Sequence, residues 1–163
     1  MTDRRRGIYL LYQLVLGFGS ILLIPWVISR LIFQPGFREG FPKRLGFVPR
    51  LPPSPRRILL HGVSVGEVKA LRPLIRLMQT KLPDYELVVS ATTQSGLQTA
   101  RHAFPELKVV SFPLDFHGST KRFLARIAPT GVVLAELEIW PNFLRQCNRK
   151  AIPVAIVNGR ITK

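Results

Sequence analysis

The segment 57–67 constrains this chain more than any other part of the sequence. A short apolar run leads into a turn punctuated by two glycines, and Glu67 stands where a helical pattern begins. The segment 132–142 repeats the arrangement, with an apolar run that leads into Glu136 and Glu138. In an open α/β sheet, ligands bind outside the carboxyl ends of the strands. Because the chain holds only nine Asp and Glu residues, carboxylates at two strand ends indicate a site.

Strand-like and helical patterns alternate through the rest of the sequence. The strands are predicted at 58–61, 86–91, 108–112, 132–136 and 154–157, and the helices at 67–82, 94–104, 119–128 and 141–150. This alternation predicts an α/β fold, a Rossmann-like parallel sheet with helices on both faces. The commonest strand order, 3-2-1-4-5, places the first and fourth strands side by side. The two acidic segments are therefore expected to face one crevice.

The N-terminal residues 8–33 are almost wholly apolar, which predicts a membrane anchor over residues 1–33. A helix that spans the bilayer and a helix that lies in the cytoplasmic leaflet both remain open, because both flanks are basic. A cleaved signal peptide is a further alternative, although no small-residue cleavage site follows. Residues 34–56 form a basic Pro/Gly-rich connector, and residues 57–163 form the Rossmann-like domain.

The net charge of +15 favours a polyanionic partner: nucleic acid, an anionic membrane or a phosphorylated substrate. No aromatic and basic module of the kind that binds RNA supports the nucleic-acid reading, so no nucleic-acid partner is expected. The chain has one cysteine, Cys147. It therefore forms no intramolecular disulfide and supplies no cysteine cluster for a metal, and neither a metal nor another cofactor is expected.

Glu67 is the leading candidate for a catalytic group. It is either a general base aimed into the crevice or an acid that stabilises the start of a helix. Glu136 and Glu138 alternate along a strand end, so at most one faces the crevice, and Glu136 is favoured. Trp140 is interpreted as a packing residue, and His61 as a structural histidine with its hydrogen bonds satisfied.

The candidate substrate-binding residues lie at predicted helix starts, at the last strand end or in the basic connector. They are Ser64, Gly66, Thr92, Thr93, Ser95, Gly96, Arg38, Lys43, Arg44 and Arg160. Backbone N–H groups and hydroxyls at a helix N-terminus suit an anion such as phosphate. The alternatives are ordinary caps for Ser64 and for the 92–96 cluster, and solvent-exposed positive charge for the four cations.

Taken together, these motifs resemble the N-terminal domain of the bacterial 3-deoxy-D-manno-octulosonic acid (Kdo) transferase family. The matching motifs, in the family's order, are RLGF at 44–47, HGVSVGE at 61–67, TTQSG at 92–96, PLD at 113–115, ELEIWPN at 136–142 and NGRI at 158–161. The resemblance implies the N-terminal half of a GT-B glycosyltransferase. This enzyme transfers Kdo from CMP-Kdo to the lipid A precursor (lipid IVA) at the cytoplasmic face of the inner membrane, in lipopolysaccharide biosynthesis.

The resemblance also implies roles for individual residues. Glu67 matches the base that deprotonates the acceptor hydroxyl, with inversion at the sugar, and an acid among Glu136 and Glu138 supports the site. The expected partners are the lipid A precursor and anionic inner-membrane lipids. The second domain of the family, which holds the CMP part of the donor, is expected to be absent, so this chain is expected to hold the acceptor half. The alternative is a non-catalytic membrane-associated protein that binds phosphorylated lipid.

Overall fold

The computed structural model describes residues 3–136 and 139–158, with side chains from residue 7 onward. The chain divides into two compact units, Met1–Phe41 and Pro42–Lys163. The first unit holds helix α1 (Asp3–Phe33) and most of helix α2 (Pro35–Arg44). The first half of the predicted connector is therefore helical, and its second half, 45–56, contains neither helix nor strand.

The second unit contains a five-stranded parallel sheet. Its elements are β1 (Arg57–His61), α3 (Val65–Lys81), β2 (Glu86–Ala91), α4 (Gln94–Ala103), β3 (Lys108–Ser111), α5 (His117–Ile127), β4 (Gly131–Ala135), α6 (Pro141–Arg149) and β5 (Val154–Val157). The strand order is β3-β2-β1-β4-β5, and every neighbouring pair is parallel. The predicted fold class and strand order are confirmed.

Each face of the sheet carries its own hydrophobic core. Leu59, Val88 and Leu134 pack on the α5 and α6 face, whereas Leu60 and Val89 pack on the α3 and α4 face. Strands buried on both faces read as nearly continuous apolar runs, which is why these short segments were recognisable in the sequence. The register places His61 beside Ser90 on one side and Leu134 on the other.

The amino end of the sheet is tied together by one buried cation. The Arg57 side chain is fully buried and donates from Nε and Nη2 to Glu86 Oε2 at 2.9 and 2.6 Å. It also donates to the carbonyl oxygens of Pro52 and Ile127. Burial raises the pKa of Glu86, but its hydrogen bonds and charge interactions with Arg57 and Lys108 outweigh that effect, and the net pKa is lowered. This clamp joins the end of the connector to β1, β2 and α5.

Candidate functional site

The carboxyl edge of the sheet brings the two acidic segments to adjacent strands. β1 and β4 are hydrogen-bonded neighbours, with His61 in register with Leu134. The loop that follows β1 and leads to Glu67 and the residue that follows β4, Glu136, therefore leave the sheet at the same edge. This agrees with the predicted crevice at the point where the strand order reverses.

Glu67 is held in one position by two hydrogen bonds. Its Oε2 accepts from the Val63 backbone N–H at 2.6 Å, and its Oε1 accepts from the Ser64 hydroxyl at 2.9 Å. The side chain is half-buried in the first turn of α3, where the helix dipole favours negative charge. An ionised carboxylate offers about four lone-pair sites, so acceptor capacity remains for a ligand hydroxyl. The same geometry is therefore compatible with both interpretations of Glu67, as an acid that stabilises the start of the helix and as a general base.

The β1–α3 loop differs in one respect from its prediction. Ser64 occupies the N-cap position of α3, but its side chain makes no hydrogen bond to a helix N–H. The predicted side-chain cap is wrong, because the hydroxyl donates instead to Glu67 Oε1.

The two glycines of this loop have different surroundings. A Cβ on Gly62 would lie 3.1 Å from Glu67 and Val68 backbone atoms, whereas a Cβ on Gly66 would meet only Ser64 Oγ, at 3.9 Å. A side chain at Gly62 would therefore require the first turn of α3 to shift slightly, whereas one at Gly66 would meet no tight contact.

The β2–α4 loop is bound to the β1–α3 loop through a single carbonyl. Val63 O accepts from the backbone N–H groups of Thr92 and Thr93 and from the Thr93 hydroxyl. Thr93 Oγ1 also accepts from the Gly96 N–H at 3.0 Å, which makes Thr93 the side-chain cap of α4. Ser95 is exposed and Gly96 is buried. Thr93 and Gly96 thus take part in the cap of α4, whereas Ser95 is exposed to solvent.

One cation of the basic connector, the candidate substrate-binding residue Arg44, lies at the same edge of the sheet. Arg44 Nη2 donates to Thr92 O at 2.7 Å, and Arg44 O accepts from the Leu114 N–H at 2.7 Å. Arg44 therefore lies between the ends of β2 and β3, and Lys43 beside it is exposed. Arg38 belongs to the other unit, where it is exposed on α2.

The segment after β4 departs from the predicted strand alternation. β4 ends at Ala135, and Glu136 is exposed with a left-handed φ of 60°. The argument that Glu136 and Glu138 point to opposite faces of a strand is therefore wrong, because Glu136 has already left the strand. Glu138 and Arg160 lie outside the described residues, and their roles stay predictions.

Two features of this edge were not predicted from the sequence: the cap that Asp115 supplies to α6 and the unpaired ring nitrogen of His61. The first is Asp115, whose buried carboxylate accepts from the backbone N–H groups of Asn142 and Phe143 at 2.9 and 2.8 Å. It caps α6 from a distant part of the chain and so fixes the start of that helix. No local signal predicts such a cap, because the partners are 27 and 28 residues apart in sequence.

The second feature is a buried neutral histidine. His61 is fully buried and stacks on Phe112, with ring centroids 3.7 Å apart. Burial lowers its pKa to about 3, although a hydrogen bond with the Ser90 backbone opposes the shift. Nδ1 lies 3.2 Å from the Ser90 carbonyl oxygen, which only accepts, so we assign the proton to Nδ1. Nε2 is then a bare acceptor.

His61 Nε2 has no hydrogen-bond partner among the described residues, and the same holds for the buried Thr92 Oγ1 and Trp140 Nε1. Trp140 packs against the core as predicted. The interpretation of His61 as a fully satisfied structural histidine is wrong for one of its two nitrogens. These atoms belong to residues at or just beyond the carboxyl ends of β1 and β2 and before α6, so unpaired polar capacity is concentrated at this edge.

The chemical groups of this edge limit the reactions that it can support. Within residues 3–136 and 139–158, no group of three or more His, Cys, Asp or Glu residues is placed to hold a metal ion. Burial raises the pKa of the Cys147 thiol to about 12, so this cysteine is no nucleophile. The described part of the edge offers instead the positioned Glu67 carboxylate, hydroxyls, backbone N–H groups and cations. This set suits proton transfer from a hydroxyl and the binding of an anion.

Comparison with known proteins gives one consistent family. Residues 39–163 match the family described as 3-Deoxy-D-manno-octulosonic-acid transferase (kdotransferase). The 3-deoxy-D-manno-octulosonic acid transferase of Bordetella pertussis is 32% identical over 167 residues, which cover 96% of this chain and 38% of that protein. The corresponding proteins of Chlamydia pneumoniae (29% identical, 93% of this chain, 35% of that protein) and Haemophilus influenzae (32%, 79%, 31%) are also similar. The chain thus spans about a third of the length of these relatives.

Proposed function

Because the chain belongs to the 3-deoxy-D-manno-octulosonic-acid transferase family, we propose that it forms the acceptor-binding half of a Kdo transferase. The complete reaction transfers Kdo from CMP-Kdo to the lipid A precursor. The observation that carries this proposal is the position of Glu67, fixed by Val63 and Ser64 at the carboxyl edge of the sheet. The donor is bound by a part of the relatives that this chain does not span.

In this mechanism Glu67 acts as the general base. The acceptor hydroxyl donates a hydrogen bond to a lone pair that Val63 and Ser64 leave free. As its oxygen attacks the anomeric carbon of Kdo, the proton passes to the Glu67 carboxylate, and CMP departs with the electrons of the broken glycosidic bond. Attack on the side opposite the leaving group inverts the anomeric centre. Each step uses groups of this chain, the acceptor and the donor, and we propose that no metal takes part.

A transfer assay tests the base assignment. Wild-type chain and Glu67→Gln are each combined with the donor-binding remainder of the Bordetella pertussis relative, CMP-Kdo and the lipid A precursor. Glutamine keeps the shape of the side chain but accepts no proton, so the transfer rate should fall by about 100-fold or more. The control is Glu106→Gln, because the Glu106 side chain is exposed and accepts a hydrogen bond from Gln79, far along the chain from Glu67. A Glu67→Gln rate equal to wild type would contradict the assignment.

The same assay separates the proposal from its alternative. A non-catalytic binding protein would bind the phosphorylated lipid and yet give no transfer when the donor-binding part is supplied. A chain that neither binds nor transfers would contradict both functions. Addition of a chelator should leave the rate unchanged if the reaction is independent of metal, and a loss of activity that Mg²⁺ restores would overturn that part of the proposal.

We further propose that α1 spans the inner membrane and keeps the second unit at the cytoplasmic face. Residues Gly7–Phe33 form a helix of 27 residues that contains an 18-residue stretch with a mean hydropathy of 2.0, and it is long enough to cross the hydrocarbon core. An interfacial helix needs a strongly polar face, but no charged residue occurs from Gly7 to Ser29 and large apolar side chains point outward around the helix. The Ser20 hydroxyl is bonded within the helix, to Leu16 O.

Side-specific labelling tests this arrangement. A short epitope tag at each end of the full chain, probed in right-side-out and inverted inner-membrane vesicles, should show protease access to the two ends from opposite sides. Access to both ends from the cytoplasmic side would support an interfacial helix instead. Release of the chain by alkaline carbonate would contradict the spanning arrangement.

A further inference from the structure

A basic cleft runs between α3 and α4, beside the candidate site. The cleft has a volume of about 520 Å³ and is lined by Lys69, Arg72, Ser95, Gln98, Thr99, His102 and Ala103. On α3 the two cations are three residues apart, and on α4 the polar residues recur at intervals of three or four, so each helix presents one stripe to the cleft. Two polar stripes thus face each other across packed helices.

The position of the cleft relates it to Glu67. Lys69 follows Glu67 by two residues in the first turns of α3, and Ser95 is the second residue of α4. In this parallel sheet both helices begin at the carboxyl edge, where Glu67 also lies, and the residues that line the cleft extend from the first turns of the two helices toward their C-terminal ends. The cleft and Glu67 thus share the N-terminal part of α3.

The cleft has positive charge without a compensating carboxylate. Its lining contains the cations Lys69 and Arg72 and no acid. The three salt bridges in the described part of the chain use other cations, at Arg56, Arg57 and Lys108. Glu106 is bonded to Gln79. Because the cations of the cleft are not neutralised within these residues, the cleft attracts anions.

The donor set selects the kind of anion. Guanidinium and ammonium groups, together with nearby hydroxyl and amide donors, can bind the tetrahedrally arranged oxygens of a phosphate group. Stacking of nucleobases needs aromatic side chains, and the cleft lining contains no Phe, Tyr or Trp. The chemistry therefore favours a phosphate group alone over a nucleic acid.

We propose that the α3–α4 cleft binds a phosphate group, with Lys69 and Arg72 as its principal cations. Three sources carry this group: the phosphorylated acceptor, a phospholipid headgroup and free phosphate. The assignment to the acceptor rests on the proposed function, and in that case the cleft anchors the lipid while its hydroxyl lies at Glu67. The binding of phosphate by the cleft stands independently of catalysis.

The test compares Lys69→Gln/Arg72→Gln with a control that removes the same charge elsewhere, Lys121→Gln/Arg149→Gln. Lys121 and Arg149 are exposed on α5 and α6, on the other face of the sheet. Full chains in neutral phosphatidylcholine nanodiscs are titrated with the lipid A precursor, with the same lipid after removal of its phosphates, and with inorganic phosphate. Nanodiscs that contain phosphatidylglycerol, without acceptor, form the fourth arm.

If the acceptor supplies the phosphate, the cleft variant should lose about tenfold in affinity for the phosphorylated precursor and nothing for the dephosphorylated lipid. A loss confined to the phosphatidylglycerol arm would assign the site to a headgroup. An equal loss in the control variant, or no loss in any arm, would overturn the proposal.

An NMR measurement on a residue of the cleft detects phosphate binding directly. Inorganic phosphate should shift the NMR signals of the His102 ring in wild type but not in the cleft variant, with His117 as the internal reference. This readout remains valid if the wild-type chain binds no acceptor, so failure of the proposed function is distinguishable from failure of the cleft. Identical His102 shifts in both proteins would contradict the site.

Discussion

The two ends of β1 bury two polar side chains in opposite ways. At the amino end, Arg57 is fully buried and donates to Glu86, Pro52 O and Ile127 O. At the carboxyl end, His61 is equally buried, but its Nε2 has no partner in the described part of the chain. One strand thus begins at a buried side chain whose three nitrogens all have partners and ends at one with an unpaired nitrogen.

The difference separates stability from function along a single strand. A buried charge that is paired and hydrogen-bonded to several segments holds those segments together and leaves little for a ligand. A buried acceptor that is left unpaired costs stability and keeps hydrogen-bonding capacity at the edge where ligands bind in such sheets. We therefore expect changes at the amino end to act on folding, and changes at the carboxyl end to act more on binding and transfer.

The largest effect is expected for Arg57→Met. The methionine fills part of the space, but it leaves the Pro52 and Ile127 carbonyl groups and part of Glu86 without their donor. The free energy of unfolding should fall by about 3 kcal/mol, at the lower end of the range for a broken buried pair because Glu86 is partly exposed. Urea unfolding of the full chain in detergent, followed by circular dichroism, measures it.

The neighbouring Arg56 supplies a matched control for this change. It pairs with Asp84 at 2.8 Å, but both side chains are mostly exposed. Arg56→Met should therefore change stability by less than about 1 kcal/mol. Equal losses for the two variants, or a transfer rate per folded molecule that falls in Arg57→Met alone, would break the contrast between the two ends of β1.

The next effect is expected for Gly62→Ala, where β1 leaves the sheet. The added Cβ would lie 3.1 Å from backbone atoms of Glu67 and Val68, and the first turn of α3 cannot move away without shifting the Glu67 carboxylate. Overpacking of this kind costs about 1–3 kcal/mol, so both stability and transfer should fall. Urea unfolding and the transfer assay measure the two losses. Unchanged stability would show that the loop yields more readily than its packing indicates.

Much of the fold was predictable because its signals are local. Strands with both faces covered, such as β2, are continuous apolar runs, and each is followed by a helical pattern. The order of the strands followed from the preferred topology of such sheets. The C-terminal limit of β4 was less predictable, because Glu136 leaves the strand in a left-handed conformation that its residue type does not predict.

The site was predictable only where the relevant contacts are short in sequence. Glu67 was recognised as an acid at a helix start, and its partners Val63 and Ser64 are four and three residues away. Asp115 was missed, since its partners are 27 and 28 residues away, and Arg57 at the opposite edge was missed for the same reason, with a partner 70 residues away. Such pairs depend on tertiary structure, and no spacing in one sequence encodes them.

The third prediction concerns the pH dependence of stability. The pKa of folded His61 is lowered to about 3 from 6.5, so the unfolded chain binds a proton that the folded chain refuses. The folded state therefore has its full stability above pH 6.5, the pKa of His61 in the unfolded chain, and loses stability as the pH falls toward the lower pKa of the folded chain. Between pH 7 and pH 5 this group alone should reduce the free energy of unfolding by roughly 2 kcal/mol.

Unfolding measured at several pH values in His61→Leu isolates this contribution. Whatever the absolute stability of the variant, its decrease between pH 7 and pH 5 should be smaller than that of wild type by this amount. His102→Gln is the control, because the His102 ring is exposed in the folded chain. A decrease that persists unchanged in His61→Leu would contradict the buried, neutral state of this histidine.

The smallest effect on stability, and the sharpest test of the carboxyl end, is expected for Gly66→Ala. The added Cβ meets only Ser64 Oγ, at 3.9 Å. Because alanine suits a helix better than glycine, stability should stay the same or rise by about 0.5 kcal/mol. If the acceptor approaches the first turn of α3, the methyl group should raise KM for the lipid while circular dichroism shows an unaltered fold. Gly118→Ala, at an equally open position early in α5, should leave KM unchanged. A wild-type KM in Gly66→Ala would place the acceptor away from this turn, and the contrast between the two ends of β1 would then rest on its polar groups alone.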